Sequence, residues 1–364
     1  MTYARARLWL GISGVGVMVL LCLAGLIWSW PYAVFNGWGT DWAEEAAGLA
    51  LIVLAYSLLH VPIDYIGGYW LPCYFSRQCL IFSMWAAQYI RAILFQGMVL
   101  LTSAVVILEA GQWGGRAAAL AAIAAWMLLM VELQDRLAVW VAGLYPETKN
   151  GVLYLGGMDA GFAGGLAGLP GRERIVMPSL WQRLLPAHVL EVEMARRRAA
   201  RGSRMRGLLV AVVFNLSGFW ACSYLPGAGV TNLAELLTTA LGFTLWSFVG
   251  LLILPTISRW GVFELDQAAR NSGYDRQQFE AVVREIDQLQ DDEPKRPRGV
   301  ETIFHPVPSV ESRLDAYEKA KGAKGAWNAA RYALYLSWPC MGFLSRAVHC
   351  NSGRPELWVM LPVD

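Results

Sequence analysis

The chain has 364 residues and a formal net charge of +2, and 56% of its residues are apolar while 16% are charged. Soluble domains are roughly 45–50% apolar and about 25% charged, so this composition excludes a disordered chain and argues against a purely soluble protein. The same composition excludes a disulfide-dense secreted scaffold, and the six cysteines include no CxxC pair and no zinc-finger spacing.

Long apolar stretches predict membrane-spanning helices, because a helix needs about 20 apolar residues to cross the hydrocarbon core. The first stretch, 8–30, contains no charged residue and is too long for a cleaved signal peptide. Further spans are predicted at 46–62, 92–109, 117–133, 207–225 and 237–254, and a possible seventh at 326–344. The seventh contains Arg331 and a Trp-Pro break, so a half-buried helix is its alternative.

Basic residues predict the orientation of these spans, since Lys and Arg concentrate in cytoplasmic loops. Arg5 and Arg7 precede the first span, and segment 132–206 between the fourth and fifth spans is strongly basic. Alternating spans place both on the same side. The N-terminus and this segment are therefore predicted to be cytoplasmic.

Two polar segments, 145–206 and 257–325, are predicted to form an α+β domain on the cytoplasmic side. The transmembrane hairpin 207–256 divides them, the first four spans lie within 1–144, and 326–364 holds the possible seventh span and tail. Short strands are predicted at 151–155 and 174–177, and helices at 178–200, 279–289 and 309–320, with a new helix start at Pro186. The predicted fold class is thus a mainly α, multi-span membrane protein with six, possibly seven, transmembrane helices and this domain.

Charged and glycine-rich motifs give only weak functional signals. The glycine run 156–171 lacks both a following Lys-Ser/Thr and a GxGxxG that opens a helix, so no nucleotide is expected. Arg197, Arg201 and Arg204 share one helix face beside a span, which indicates either a solvated helix end or a site for anionic lipid headgroups. Nucleic acid is not expected, because the aromatic residues lie in the spans and not among these bases.

Metal-binding signals are incomplete. His188 and Glu191 are three residues apart on a predicted helix and could offer two ligands, but a catalytic zinc needs three from the protein. The sequence contains no HExxH motif.

Several segments nevertheless follow a recognisable order. They are His60-Val61-Pro62 with Leu71-Pro72 and Phe75-Ser76, then Phe162-Ala163-Gly164-Gly165, Arg174-Ile175-Val176-Met177, Leu184-Leu185-Pro186, the run from Ser258-Arg259 to Asp266, and Pro308-Ser309-Val310-Glu311-Ser312-Arg313-Leu314. Their order and the hydrophobic hairpin between them resemble the integral-membrane zinc metallopeptidases of the CAAX prenyl protease and HtpX type (peptidase family M-forty-eight), over most of the chain from His60 onward.

This resemblance implies roles for particular residues. Phe162, Ala163, Gly164 and Gly165 would form an edge strand that holds an extended peptide by β-addition. Arg259, Asp266 and Arg313 would support the fold, with Arg313 pairing with Asp266.

The resemblance also places the family's catalytic positions on residues that cannot perform the chemistry. Counting from Pro186, both histidine ligands of HExxH fall on Ala195 and Ala199, and the general base falls on Arg196. The downstream glutamate ligand falls on Val262. Alanine and valine offer a metal no lone pair, and arginine repels Zn²⁺.

The prediction is therefore a pseudoprotease that needs no cofactor and acts in binding, regulation or scaffolding. Its partners would be membrane lipids and a peptide or a membrane protein. One alternative is an active zinc metalloendopeptidase of the same type with displaced ligands His188, Glu191 and His305. Another is a structural membrane subunit with a vestigial groove.

Overall fold

The membrane part of the protein is a bundle of long apolar helices. A computed structural model describes residues 1–38, 42–77, 79–319 and 324–360. The helices long and apolar enough to span a bilayer are α1 (Tyr3–Ile27), α3 (Trp42–Tyr65), α5 (Phe82–Glu132), α8 (Ala187–Cys222) and α9 (Leu233–Asn271). A short α2 (Trp30–Phe35) follows α1, and α3 continues through a π-helical turn (Ile66–Trp70) into α4 (Leu71–Tyr74).

The longest helix, α5, consists of two apolar arms that fold back on each other. Gly114 and Gly115 leave the helical region, and Gly115 has a φ of 66°, which glycine adopts without the steric cost of a Cβ. Trp126 in the second arm donates from Nε1 to Ser103 Oγ in the first at 2.9 Å. Within the described residues, the five long helices therefore provide six apolar passes, and the chain is a multi-span integral membrane protein as predicted.

The α+β part consists of a small sheet with helices packed beside it. Strands β1 (Tyr145–Lys149), β2 (Val152–Gly156), β3 (Gly165–Ala167) and β4 (Arg174–Pro178) lie in the order β1-β2-β4-β3. Strands β2 and β4 are parallel, and the other pairs are antiparallel. The helices of this part are α7 (Trp181–Leu184), α10 (Arg276–Leu289), α11 (Arg298–Phe304) and α12 (Val310–Glu318), and the last three pack on α8 and α9.

Helices α8 and α9 cross the predicted domain boundaries at 206 and 256 without interruption. A short α6 (Gln134–Ala142) precedes the sheet, and α8 then runs from its cap at Pro186 to Cys222 because its sequence contains no proline. Helix α9 continues through Pro255. The sheet and the membrane bundle therefore share two continuous helices.

In place of a seventh span, the described residues of 326–360 fold into the interior of the bundle. The longest helix there, α13 (Ala329–Tyr335), has seven residues, and a 3₁₀ turn (Trp338–Cys340) and α14 (Glu356–Val359) follow it. Nearly every residue of this segment is buried, against α5, α6, α8 and α9. Its apolar character reflects burial in protein and not in lipid. Residues 361–364 of the predicted tail lie outside the described residues.

Two buried arginines fix this C-terminal segment to the rest of the bundle. Arg346 donates to Asp64 of α3, and Asp64 also accepts from Tyr89 Oη at 2.9 Å and from the Gly353 backbone at 2.7 Å. Arg7 of α1 donates to the carbonyl oxygen of His349 at 2.6 Å. Buried charges are costly unless they are paired or hydrogen-bonded, so these contacts stabilise the segment in one position.

A disulfide closes the turn that follows α4. Cys73 and Cys79 form it beside the N-terminal end of α1, where the rings of Tyr3 and Phe75 are 5.9 Å apart. Disulfides persist mainly in oxidising compartments, whereas the basic residues at this end of α1 predict a cytoplasmic location. The bridge and the basic residues thus make opposite predictions about the side of the membrane.

The close approach of the C-terminal segment to α9 predicts a specific steric effect. A Cβ at Gly261 would lie 2.3 Å from the backbone nitrogen of Trp327. We expect Gly261→Ala to lower the melting temperature in detergent, with a cost of about 1–3 kcal/mol from overpacking. The matched control is Gly202→Ala on α8, where a Cβ meets nothing within 4 Å. Equal melting temperatures for the two variants would contradict the described path of the segment.

Candidate functional site

The positions of interest lie where α8 packs against α9. Ala195, Arg196 and Ala199 are on α8, and Val262 is on α9. Val262 belongs to a buried apolar cluster, and Ala199 and Val307 pack against that cluster. Positions that the family resemblance assigns to metal ligands therefore form part of a hydrophobic core.

Arg196 lies buried between two carboxylates. It is 1% exposed and donates from Nη1 to Glu193 at 2.5 Å and from Nε to Asp266 at 3.1 Å. Glu193 also accepts from Arg197 Nε at 2.5 Å. Asp266 accepts two further hydrogen bonds from Arg313, at 2.9 and 2.8 Å. We call these five side chains the arginine–carboxylate network.

The local sequence explains three of the five members of this network. Glu193, Arg196 and Arg197 are three and four residues apart, so they share one face of α8. Asp266 comes from α9 and Arg313 from α12. The network thus ties three helices together through charged groups that would each be costly to bury alone.

Arg197 also closes the sheet edge that was predicted to hold a peptide. Its Nη2 donates to the carbonyl oxygen of Ala163 at 2.9 Å, and its guanidinium carbon lies 6.0 Å from the Trp181 ring centroid. Phe162 is 1% exposed and Ala163 is 0% exposed. The segment before β3 therefore offers an extended peptide no accessible backbone, which β-addition requires.

The three arginines predicted to face lipid headgroups do not share an exposed surface. Arg201 is exposed, but Arg197 and Arg204 are fully buried. Arg204 donates from Nε to Tyr332 Oη at 3.0 Å, in the C-terminal segment. The prediction is wrong for Arg197 and Arg204 because the sheet and the C-terminal segment cover this face of α8.

The candidate ligands of the active-enzyme alternative lie in different surroundings. His188 and Glu191 are exposed in the first turns of α8. His305 is buried, with its ring 5.2 Å from that of His349, and burial holds its pKa well below the ordinary range. Burial likewise lowers the pKa of His349 to about 4. Within the described ranges, no three His, Cys, Asp or Glu side chains lie close enough to share an ion.

The residues at the α8–α9 contact do not fit a zinc ion. Ala195, Ala199 and Val262 offer no donor atom, and Arg196 carries a fixed positive charge. The nearby carboxylates, Glu193 and Asp266, already accept hydrogen bonds from arginines on both oxygens. A cation would have to displace a guanidinium to reach either of them.

Arg259, the remaining residue with a predicted structural role, connects α9 to α11. Its Nη1 donates to Thr302 Oγ1 at 3.0 Å. Two residues after Val262, Glu264 accepts from Arg206 at 2.6 Å and from the Gly325 backbone at 3.1 Å. These contacts hold α8, α9, α11 and the start of the C-terminal segment in one arrangement.

Comparison with known proteins identifies the fold. No protein-family model and no curated protein sequence matches the chain. The crystal structure of S. mikatae Ste24p matches it with a TM-score of 0.60 and 14% identity, covering 80% of this chain and 79% of that chain. The chain therefore has a fold similar to that of Ste24p. Identity at this level carries no statement about activity.

The network predicts that replacing a buried arginine lowers the stability of the fold much more than replacing an exposed one. Arg313→Ala leaves Asp266 with one guanidinium in place of two, and breaking a buried ion pair typically costs about 3–5 kcal/mol. We expect a marked loss of thermal stability in detergent. The matched control is Arg284→Ala, which removes the partially exposed pair with Glu280 and should cost less than about 1 kcal/mol. Similar melting temperatures for the two variants would show that the network does not stabilise the fold.

Proposed function

We propose that this protein is a catalytically degenerate membrane metallopeptidase-like protein, a pseudoprotease with a binding, regulatory or scaffold role in the membrane. The observation that supports the loss of catalysis is the arginine–carboxylate network at the turn of α8 where the resemblance places HExxH. By that resemblance, Arg196 takes the position of the general base. A guanidinium keeps its proton at any physiological pH, so it cannot take one from water.

The chemistry of zinc peptidases explains why this change is decisive. A catalytic zinc held by three protein ligands lowers the pKa of its bound water, and a base then accepts the proton. At the corresponding positions this chain offers two methyl groups, one isopropyl group and one guanidinium, on Ala195, Ala199, Val262 and Arg196. None of them can bind the metal or accept a proton.

The C-terminal segment gives the proposal a second line of support. The Ala326 backbone donates to the carbonyl oxygen of Ile257 at 3.2 Å, and Trp327 packs in the same apolar cluster as Val262. The chain's own backbone thus lies beside α9 at the level of the degenerate site. A substrate peptide approaching that level would compete with a covalently attached, fully buried segment.

The proposal includes the predicted orientation, with the N-terminus and the peptidase-like part on the cytoplasmic side. The basic residues before α1 and along segment 132–206 support it. It also includes lipids and a peptide or membrane protein as partners. Because the sheet edge at Phe162 is closed, we expect a protein partner to bind an exposed surface and not this edge.

Metal content and hydrolysis test the proposal together. Protein purified in detergent should contain far less than one zinc per chain by inductively coupled plasma mass spectrometry. It should also cleave a fluorogenic peptide library no faster than a membrane preparation without the protein.

The contrary result is equally well defined. Stoichiometric zinc that is lost in His188→Ala or in His305→Ala, together with hydrolysis, would overturn the proposal. It would support the zinc metalloendopeptidase with displaced ligands. Glu191→Gln, the third member of that set, should then abolish hydrolysis as well.

A further inference from the structure

A cavity of about 340 Å³ lies between α1 and α9, and Arg313 of the arginine–carboxylate network is among the residues that line it. Small-molecule pockets in proteins typically measure about 300–1,000 Å³. Its apolar wall comes from both helices and consists of Leu8, Ile12, Val15, Phe248, Leu251 and Leu252. Its polar end is formed by loop residues that include Asp291, Arg296, His305 and His349. The cavity is thus apolar at one end and polar at the other.

The position of the apolar end matches one leaflet of a bilayer. Helices α1 and α9 touch at the far end, where a Cβ on Gly25 would lie 2.8 Å from Leu241. Nearer the N-terminus, α1 lines the cavity with residues between Leu8 and Gly16. This stretch is about 12 Å of helix. Half of a hydrocarbon core is about 15 Å. Leu252 in its wall is 42% exposed on the membrane surface of α9, so the apolar end borders on lipid.

The polar end of the cavity contains a buried imidazole nitrogen without a hydrogen-bond partner in the described part of the chain. His305 is 6% exposed, and its buried Nε2 forms no hydrogen bond with the part of the chain that the structure describes. A buried polar atom left in this state costs about 1–3 kcal/mol, which a bound polar group would offset.

The charges around this end favour an anion. Arg7 is buried next to His349, and in the described part of the chain its hydrogen bonds go to backbone carbonyls and to the Tyr3 hydroxyl, with no carboxylate among the acceptors. The carboxylates that line the cavity, Asp287 and Asp291, both face Arg296, at 3.7 and 2.8 Å, and Glu293 lies 3.5 Å from the same guanidinium. Burial is the main cause of the lowered pKa of His305 and His349. The positive charge of nearby arginines lowers both pKa values further, whereas the negative charge of Asp291 raises them.

We propose that this cavity binds one anionic membrane phospholipid, with its phosphate at His305 and one acyl chain between α1 and α9. The apolar wall matches an acyl chain, and the membrane-facing side lets the rest of the lipid stay in the bilayer. The imidazole Nε2–H donates to a phosphate oxygen. This site is independent of the proposed loss of peptidase activity.

Native mass spectrometry of the full chain in detergent tests the site. Phosphatidylglycerol and phosphatidylcholine of equal chain length are added separately, and retained lipid is counted. We expect one phosphatidylglycerol per chain at a concentration where phosphatidylcholine is not retained. Excess inorganic phosphate should not displace it, because the acyl chain contributes to binding. Displacement by phosphate would show a free-anion site and would overturn the proposal.

Variants of the apolar wall provide a matched control. A Cβ at Gly16 or at Gly202 meets nothing within 4 Å, but only Gly16 lines the cavity. Gly16→Leu should weaken phosphatidylglycerol binding roughly tenfold, whereas Gly202→Leu should leave it unchanged. Leu252→Trp narrows the cavity from α9 and replaces Gly16→Leu if that variant does not fold. Equal binding by wall variants and control would overturn the proposal.

A variant of the polar end tests the headgroup contact. His305→Leu removes the imidazole and should abolish the preference for phosphatidylglycerol over phosphatidylcholine. His188→Leu, an exposed histidine on α8, is the control and should keep that preference. An unchanged preference in His305→Leu would show that the phosphate does not lie at His305.

Discussion

Two buried carboxylates, Glu193 and Asp266, determine what the contact between α8 and α9 can hold. Each needs positive charge nearby, because an uncompensated buried carboxylate costs several kcal/mol. Arg196 supplies it to both, and Arg197 and Arg313 complete the network. Replacing a single member would leave at least one buried charge with fewer partners, so the five side chains depend on one another. The proposed loss of metal chemistry and the stability of the fold would therefore be consequences of the same contacts.

The sequence predicted the membrane architecture because the length of an apolar run is a direct physical constraint. The sequence also predicted the strands near 152 and 174 and the helix start at Pro186, because turn residues and helix caps act on their immediate neighbours. The sequence did not predict which residues far apart in the chain form hydrogen bonds with each other. Arg197 looks like a surface base until its bond to Ala163, 34 residues away, is known. Segment 326–344 has a composition that suits lipid and protein interior equally, so hydropathy alone could not place it. The pairing of Cys73 with Cys79 likewise depends on a turn that the spacing does not specify.

The polar groups at the ends of α1 and α3 have two effects at once. Asp64 and Arg7 hold the C-terminal segment through Arg346 and through the backbone of His349. Arg7 also places a positive charge near the cavity, and backbone carbonyl oxygens accept its hydrogen bonds. Anchoring this segment thus also sets the electrostatic character of the space between α1 and α9.

The burial of residues 326–360 has a consequence for how the molecule is assembled during synthesis. This segment leaves the ribosome after all six passes, yet it lies among α5, α6, α8 and α9. Until it arrives, Asp64 lacks the guanidinium of Arg346. The tight packing of these helices can therefore be completed only after the segment has entered the bundle.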